Sequence, residues 1–138
     1  MDALRILYLD DCAIDHKLMR AYLELDEAHS YRLTACSTLD EAERELQRAS
    51  FDVLILDNRI PPDINYHRMY KSLKERAGFI GPAVVVSADV EGAEFNETAR
   101  QDHEAVIDKA DLLGCIRDGQ FAAIIADQQA SITASVTG

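Results

Sequence analysis

Short apolar runs alternate along this chain with segments of helical periodicity, and that alternation restricts the fold more than any other feature. RILYL (Arg5 to Leu9), VLIL (Val53 to Leu56), AVVV (Ala83 to Val86) and AVI (Ala105 to Ile107) are nearly continuous in apolar residues, as strands covered on both faces are. YRLTAC (Tyr31 to Cys36) alternates with polar residues instead, which predicts an edge strand. In the intervening segments the apolar residues recur at helical spacing. Ile14, Leu18, Ala21, Tyr22 and Leu25 form a first stripe; Leu39, Ala42, Leu46 and Ala49 a second; Tyr66, Met69, Tyr70, Leu73 and Ala77 a third. Ser37 and Thr38 open the second helix, and Glu41, three residues after Thr38, completes a capping-box pattern. A fourth helix around Glu94 to Arg100 has only Ala93, Phe95 and Ala99 as an apolar face and is expected to be marginal; a fifth spans about Leu112 to Asp127 despite Gly114 and Gly119. Five strands alternating with five helices predict an α/β domain, a parallel sheet with helices on both faces.

The remaining bounds are consistent with one small domain. A chain of 138 residues can bury a core but is short for two domains. Residues 1–128 are expected to form the domain and 129–138 a flexible C-terminal tail, with no output domain behind it. The net charge of -11 argues against a nucleic-acid surface, which needs clustered Lys and Arg. No apolar run approaches the roughly 18 to 20 residues of a spanning helix, and MDALRILYLDD becomes charged too quickly for a signal peptide, so no membrane contact is expected. Cys12, Cys36 and Cys115 are odd in number and scattered, which suits reduced thiols and a cytoplasmic location, with the Cys12 thiol serving packing rather than redox chemistry.

In a parallel sheet, ligands sit outside the carboxyl ends of the strands. The first strand ends on Asp10 and Asp11, the third on Asp57, the fourth on Ser87, and the fifth runs through Asp108 into Lys109. The alternation therefore gathers three carboxylates, one hydroxyl and one ammonium at one edge. Carboxylates so placed repel one another unless a cation neutralises them. An all-oxygen donor set selects a hard divalent ion such as Mg2+, which commonly keeps waters and binds phosphate oxygens. A carboxylate beside such an ion can accept a phosphoryl group, with Ser87 donating to the incoming oxygens and Lys109 offsetting their charge. Singly, each residue has an ordinary alternative: Asp10 and Asp11 as a helix cap with first-turn acid, Ser87 as a cap, Lys109 as a solvated lysine, Asp57 as the cap of a proline turn.

LDD, DNRIPPDIN, SA and DK, at this spacing over about residues 4 to 127, resemble the motifs of a two-component response-regulator receiver domain of the stand-alone, CheY-like kind. The resemblance implies a flavodoxin-like (βα)5 fold with strand order 2-1-3-4-5. It implies that Asp57 accepts a phosphoryl group from a sensor histidine kinase or a histidine phosphotransfer protein. It further implies that Asp11 binds Mg2+ directly and Asp10 through water, that Asp57 and the Arg59 carbonyl complete the metal shell, and that Ser87, Lys109 and the Ala88 amide bind the phosphoryl. Such a module is expected to carry out only its own phosphorylation and dephosphorylation, without being an enzyme, and to signal by binding a downstream protein or by relaying the phosphoryl. The resemblance places partner choice on the first helix and output on the fourth and fifth.

The chain departs from the family pattern at Val106, where an aromatic switch residue is usual, at Ala110, where proline usually follows the lysine, and after Asp57, where a glycine is replaced by residues near Asn65, a side chain that tolerates left-handed backbone. Val106 and Ala110 support an alternative, a pseudo-receiver that keeps the fold and signals without phosphorylation. Arg59 and Asp89, each two residues beyond a site residue, are expected to meet across the mouth as an ion pair that obstructs water. A Mg2+-dependent phosphatase would want a general acid where Arg59 stands. His16, His29, His67 and His103 show no ligand spacing and are expected to be solvated, His16 included although it follows the acidic pair by about one turn.

Overall fold

A computed structural model of the protein describes the backbone of residues 3–57, 59–60, 64–87 and 105–137, with side chains over 3–57, 68–87 and 107–130. The elements follow the predicted alternation. They are β1 (Leu4–Leu9), α1 (Ala13–Glu24), β2 (Tyr31–Cys36), α2 (Leu39–Arg48), β3 (Val53–Asp57), the short strands β4 (Arg59–Ile60) and β5 (Ile64–Asn65), α3 (Tyr66–Ala77), β6 (Ala83–Ser87), β7 (Ala105–Asp108), α4 (Leu112–Arg117) and α5 (Gln120–Thr137). The main sheet has the order β2-β1-β3-β6-β7, all parallel, so the expected 2-1-3-4-5 arrangement is present.

Period-two alternation in the strands divides the core into two layers. Ile6, Tyr8, Val53, Ile55, Val84, Val86 and Ile107 face one way, against Met19 and Leu23 of α1 and Cys115, Ile116, Phe121 and Ile125 of α4 and α5. Leu7, Leu9, Leu54, Leu56, Ala83 and Val85 face the other way, against Ala42 of α2 and Met69, Tyr70 and Leu73 of α3. Each Val, Leu, Ile, Phe or Met among them that is withdrawn fully from water contributes about 1.5–3 kcal/mol. The runs lacked polar alternation because both faces of these strands are covered. α2 begins as its sequence dictates: Thr38 is the N-cap, its hydroxyl accepts from the Glu41 N–H at 3.2 Å, and it donates to the Glu41 carboxylate.

Four expectations are corrected. The segment from Leu112 is two helices, because Gly119 adopts φ 80° and the backbone turns there before α5 begins. Second, α5 continues to Thr137, so the stretch expected as a loose tail is helical. Third, Asn65 lies in β5, paired with Arg59 in a two-stranded antiparallel ribbon, and not in a left-handed turn. Fourth, the apolar face of α1 is rotated from the stripe expected. Met19 and Leu23 are buried, whereas Ile14, Leu18 and Leu25 are exposed, Ile14 at 69%. The helix around Glu94 to Arg100 lies outside the described residues. Among them, no helix is long and apolar enough to cross a membrane.

Candidate functional site

Register alone places the carboxylates together. Leu9 of β1 pairs with Leu56 of β3, so Asp10, one step on, is level with Asp57, which itself pairs with Val86 of β6. Ser87 then pairs with Asp108 of β7, and the Lys109 N–H extends that ladder to the Ser87 carbonyl at 2.8 Å. Parity puts Asp10, Asp57 and Lys109 on the face covered by α1. Asp10, Asp11 and Asp57 each offer a carboxylate oxygen within 4.8 Å of the others. Lys109 Nζ lies 3.0 Å from Asp57 Oδ1 and 3.6 Å from Asp10 Oδ2. Burial alone would make that ammonium easier to deprotonate, but the hydrogen bonds to Asp57 and Asp15 and the surrounding negative charge hold it firmly protonated, above the usual lysine range.

Asp10 is fully buried, and both its oxygens have donors: the Tyr8 hydroxyl on Oδ2 and the Cys12 N–H on Oδ1 at 2.9 Å. Burial, then the bond to Asp10, pushes the Tyr8 phenol far above its usual range, so it remains a donor. His16 bonds through Nε2 to the Asp10 carbonyl oxygen, which can only accept, so the hydrogen sits on Nε2. Its ring meets the Tyr8 ring edge to face at 5.6 Å. His16 is therefore part of the site's support, contrary to the expectation of a solvated side chain. Asp11 is exposed at the mouth, and Asp57 is mostly covered.

The β7–α4 turn shows what Ala110 provides. Its N–H donates to Asp108 Oδ1 at 2.9 Å, and the Asp111 N–H donates to the Asp108 carbonyl at 2.9 Å. Proline has no N–H for the first of these bonds. The turn is closed by the Asp108 carboxylate in place of a rigid ring.

The structure thus brings Asp10, Asp11, Asp57 and Lys109 into one cleft and sets Ser87, 3% exposed, at the adjoining strand end. Ala88 and Asp89 lie outside the described residues, as does the Arg59 side chain, and with them the expected Arg59–Asp89 pair; Val106 is placed only as a β7 backbone position paired with Val85. Sequence reasoning missed Tyr8, His16 and Asp15. The signal was available: Tyr8 is two residues before Asp10 on the same strand face, and Asp15 is four residues past Asp11, one helical turn away.

No protein-family model and no curated protein sequence matches the chain. Solved structures do. The chemotaxis response regulator CheY4 of Vibrio cholerae superposes with a TM-score of 0.73 at 16% identity, covering 89% of this chain and 99% of that one. The fold is that of a receiver domain. A response regulator receiver protein from Sinorhizobium medicae gives a TM-score of 0.69 at 20% identity, over 95% of this chain and 98% of that one. The receiver domain of the sensor histidine kinase PA1611 from Pseudomonas aeruginosa, with magnesium coordinated in its active-site cleft, gives 0.62 at 19% identity, over 85% of this chain and 97% of that one. The Asp10, Asp11 and Asp57 oxygens converge at the carboxyl ends of the strands, the edge at which open parallel sheets generally bind ligands. An all-carboxylate set of this span fits a hard divalent ion and offers no nitrogen or sulfur to a softer one.

Proposed function

We propose that this receiver domain is a phosphoacceptor switch, charged on Asp57 by a phosphohistidine of a sensor histidine kinase or a histidine phosphotransfer protein. The observation that carries this reading is the ammonium of Lys109 at 3.0 Å from Asp57, beside two further carboxylates at a strand edge. In the transfer, an Asp57 carboxylate oxygen forms a bond to phosphorus. The P–N bond of the donor breaks with its electron pair left on the imidazole nitrogen, and Asp57 becomes an acyl phosphate. Lys109 and the Ser87 hydroxyl meet the phosphoryl oxygens, together with the Ala88 amide. Asp11 and Asp57 would hold Mg2+ with the Arg59 carbonyl, and Asp10 would reach it through water, since its own oxygens already receive the Tyr8 and Cys12 donors. When bound, the ion offsets the cleft's negative charge as the phosphoryl arrives. Arg59 and Asp89 flank the entry as tuning residues. The module turns over no substrate of its own beyond this cycle, and it signals through a downstream protein or passes the phosphoryl on from the cytoplasm.

Intact mass after incubation with acetyl phosphate and Mg2+ tests the reading. A labile phosphoryl adduct is expected that needs the metal and is lost in Asp57→Asn. If neither acetyl phosphate nor phosphoramidate labels the wild type and Mg2+ fails to bind, the pseudo-receiver reading, which Val106 favours, replaces this one.

A further inference from the structure

The Lys109 ammonium is shared. Besides Asp57 it donates to Asp15 Oδ2 at 3.1 Å, a contact that spans 94 residues of sequence. Asp15 is not a strand-end residue; it lies in the first turn of α1. The side chains of Asp15 and Lys109 are similarly enclosed, 29% and 31% exposed, so this is a contact inside the cleft wall and not a loose surface pair. An ammonium has three donors, and here it meets carboxylates of two different elements, Asp57 on β3 at 3.0 Å and Asp15 on α1 at 3.1 Å, with Asp10 Oδ2 farther off at 3.6 Å.

We propose that Asp15 is a positioning residue that draws Lys109 toward α1 and thereby slows the charging of Asp57. The inference rests on the phosphoacceptor reading above. Two effects act in the same direction. Asp10, Asp11, Asp15 and Asp57 carry four negative charges against one from Lys109 and two from a divalent ion. One negative charge is left over in the cleft that a dianionic phosphodonor must enter; without Asp15 the cleft would be neutral. The ammonium must also give up its contact with Asp15, or stretch it, to meet the incoming phosphoryl oxygens. Neutralising Asp15 with its shape kept, as in Asn, removes the first effect and weakens the second to a neutral hydrogen bond, and the shorter Ser removes the contact as well.

The test compares wild type with Asp15→Asn, Asp15→Ser and Asp15→Glu. The initial rate of phosphoryl adduct formation is followed by intact mass with acetyl phosphate at saturating Mg2+, over a series of ionic strengths. Asp15→Asn and Asp15→Ser are expected to charge about three- to tenfold faster, the size of one screened charge contact. Their rates should also depend less on salt, because less repulsion remains to be screened, and Asp15→Glu should stay within about twofold of wild type. In metal-free protein, the NMR signal of the Lys109 ε-methylene should move in the two neutral variants and remain near its wild-type position in Asp15→Glu. Neutral variants that fold normally yet charge at the wild-type rate or slower, with an unchanged salt slope, overturn the role of Asp15 alone. A wild type that is labelled by neither acetyl phosphate nor phosphoramidate and that fails to bind Mg2+ overturns the phosphoacceptor reading, and this inference with it.

Discussion

At the scale of single residues, the cleft depends on side chains outside the set of carboxylates that converge in it. Tyr8 is an aromatic in a strand that could have been wholly aliphatic, and its hydroxyl is matched to a carboxylate that is otherwise shut away from water. Removing that hydroxyl leaves Asp10 Oδ2 short of a donor in a buried place, a loss of about 1.5 to 3 kcal/mol for a hydrogen bond to a charged group. Urea unfolding of Tyr8→Phe is expected to show that loss in metal-free protein; a change within about 0.5 kcal/mol would mean that Lys109 alone satisfies Asp10. The strand-end carboxylates and the lysine were legible in the sequence because they close apolar runs whose strand character was unambiguous. Tyr8 was within reach of the same strand parity, two residues before Asp10, whereas His16 was not legible, because its role follows from where α1 points, which only the packed structure fixes.

At the scale of elements, α1 shows why periodicity alone misassigns a face. Ile14, Leu18, Ala21, Tyr22 and Leu25 recur at helical spacing, yet of these Tyr22 packs against the core, and the helix turns Met19 and Leu23 inward. The reason lies at its N-terminus: Asp15 and His16 are tied to Lys109 and the Asp10 carbonyl, and Met19 and Leu23 follow them on the same side. At its other end the chain is held by Asp26, a buried carboxylate that accepts from the Ala28 N–H, bonds His29 and receives the Tyr31 hydroxyl. Burial by itself would raise this acid, but the Tyr31 and His29 hydrogen bonds, the Ala28 N–H and the charge on His29 outweigh it and hold it below its ordinary value of 3.8. A native value below the unfolded one means stability that is present above that value and lost as pH falls beneath it toward the native pKa. Acid unfolding of Asp26→Asn should therefore lack part of the wild-type loss below about pH 4, while the variant is less stable near neutrality. Equal pH slopes for the two proteins would show that Asp26 does not tie down the α1–β2 connection. Gly119 is the matching case at the C-terminal end: the apolar pattern continues across it, yet its φ of 80° makes it a boundary.

At the scale of the whole molecule, the alternation that determined fold class was the easiest part to read, since βα repetition leaves few ways to cover both faces of a sheet. The price of the arrangement is a concentration of like charge at one edge. Asp11 is the exposed member, and Asp11→Asn is expected to raise the metal-free melting temperature by about 2 to 4 °C by removing one repelling charge. The same change should abolish stabilisation by Mg2+. In the wild type, a concentration about a hundredfold above Kd adds about 2.7 kcal/mol. Thermal scans with and without the ion check both, and a wild-type melting point indifferent to Mg2+ would overturn the metal assignment.

The distribution of the cleft over β1, β3, β6 and β7 also sets an order in time. A chain synthesised from its N-terminus presents Asp10, Asp11 and Asp57 well before Lys109 emerges at the end of β7. The acidic half of the cleft thus exists in the nascent chain before its counter-charge does, and the register that aligns the two waits on the last strand. Completion of the sheet is in this way the condition for pairing Asp57 with Lys109, and a chain released before β7 would hold the carboxylates of the cleft without that counter-charge.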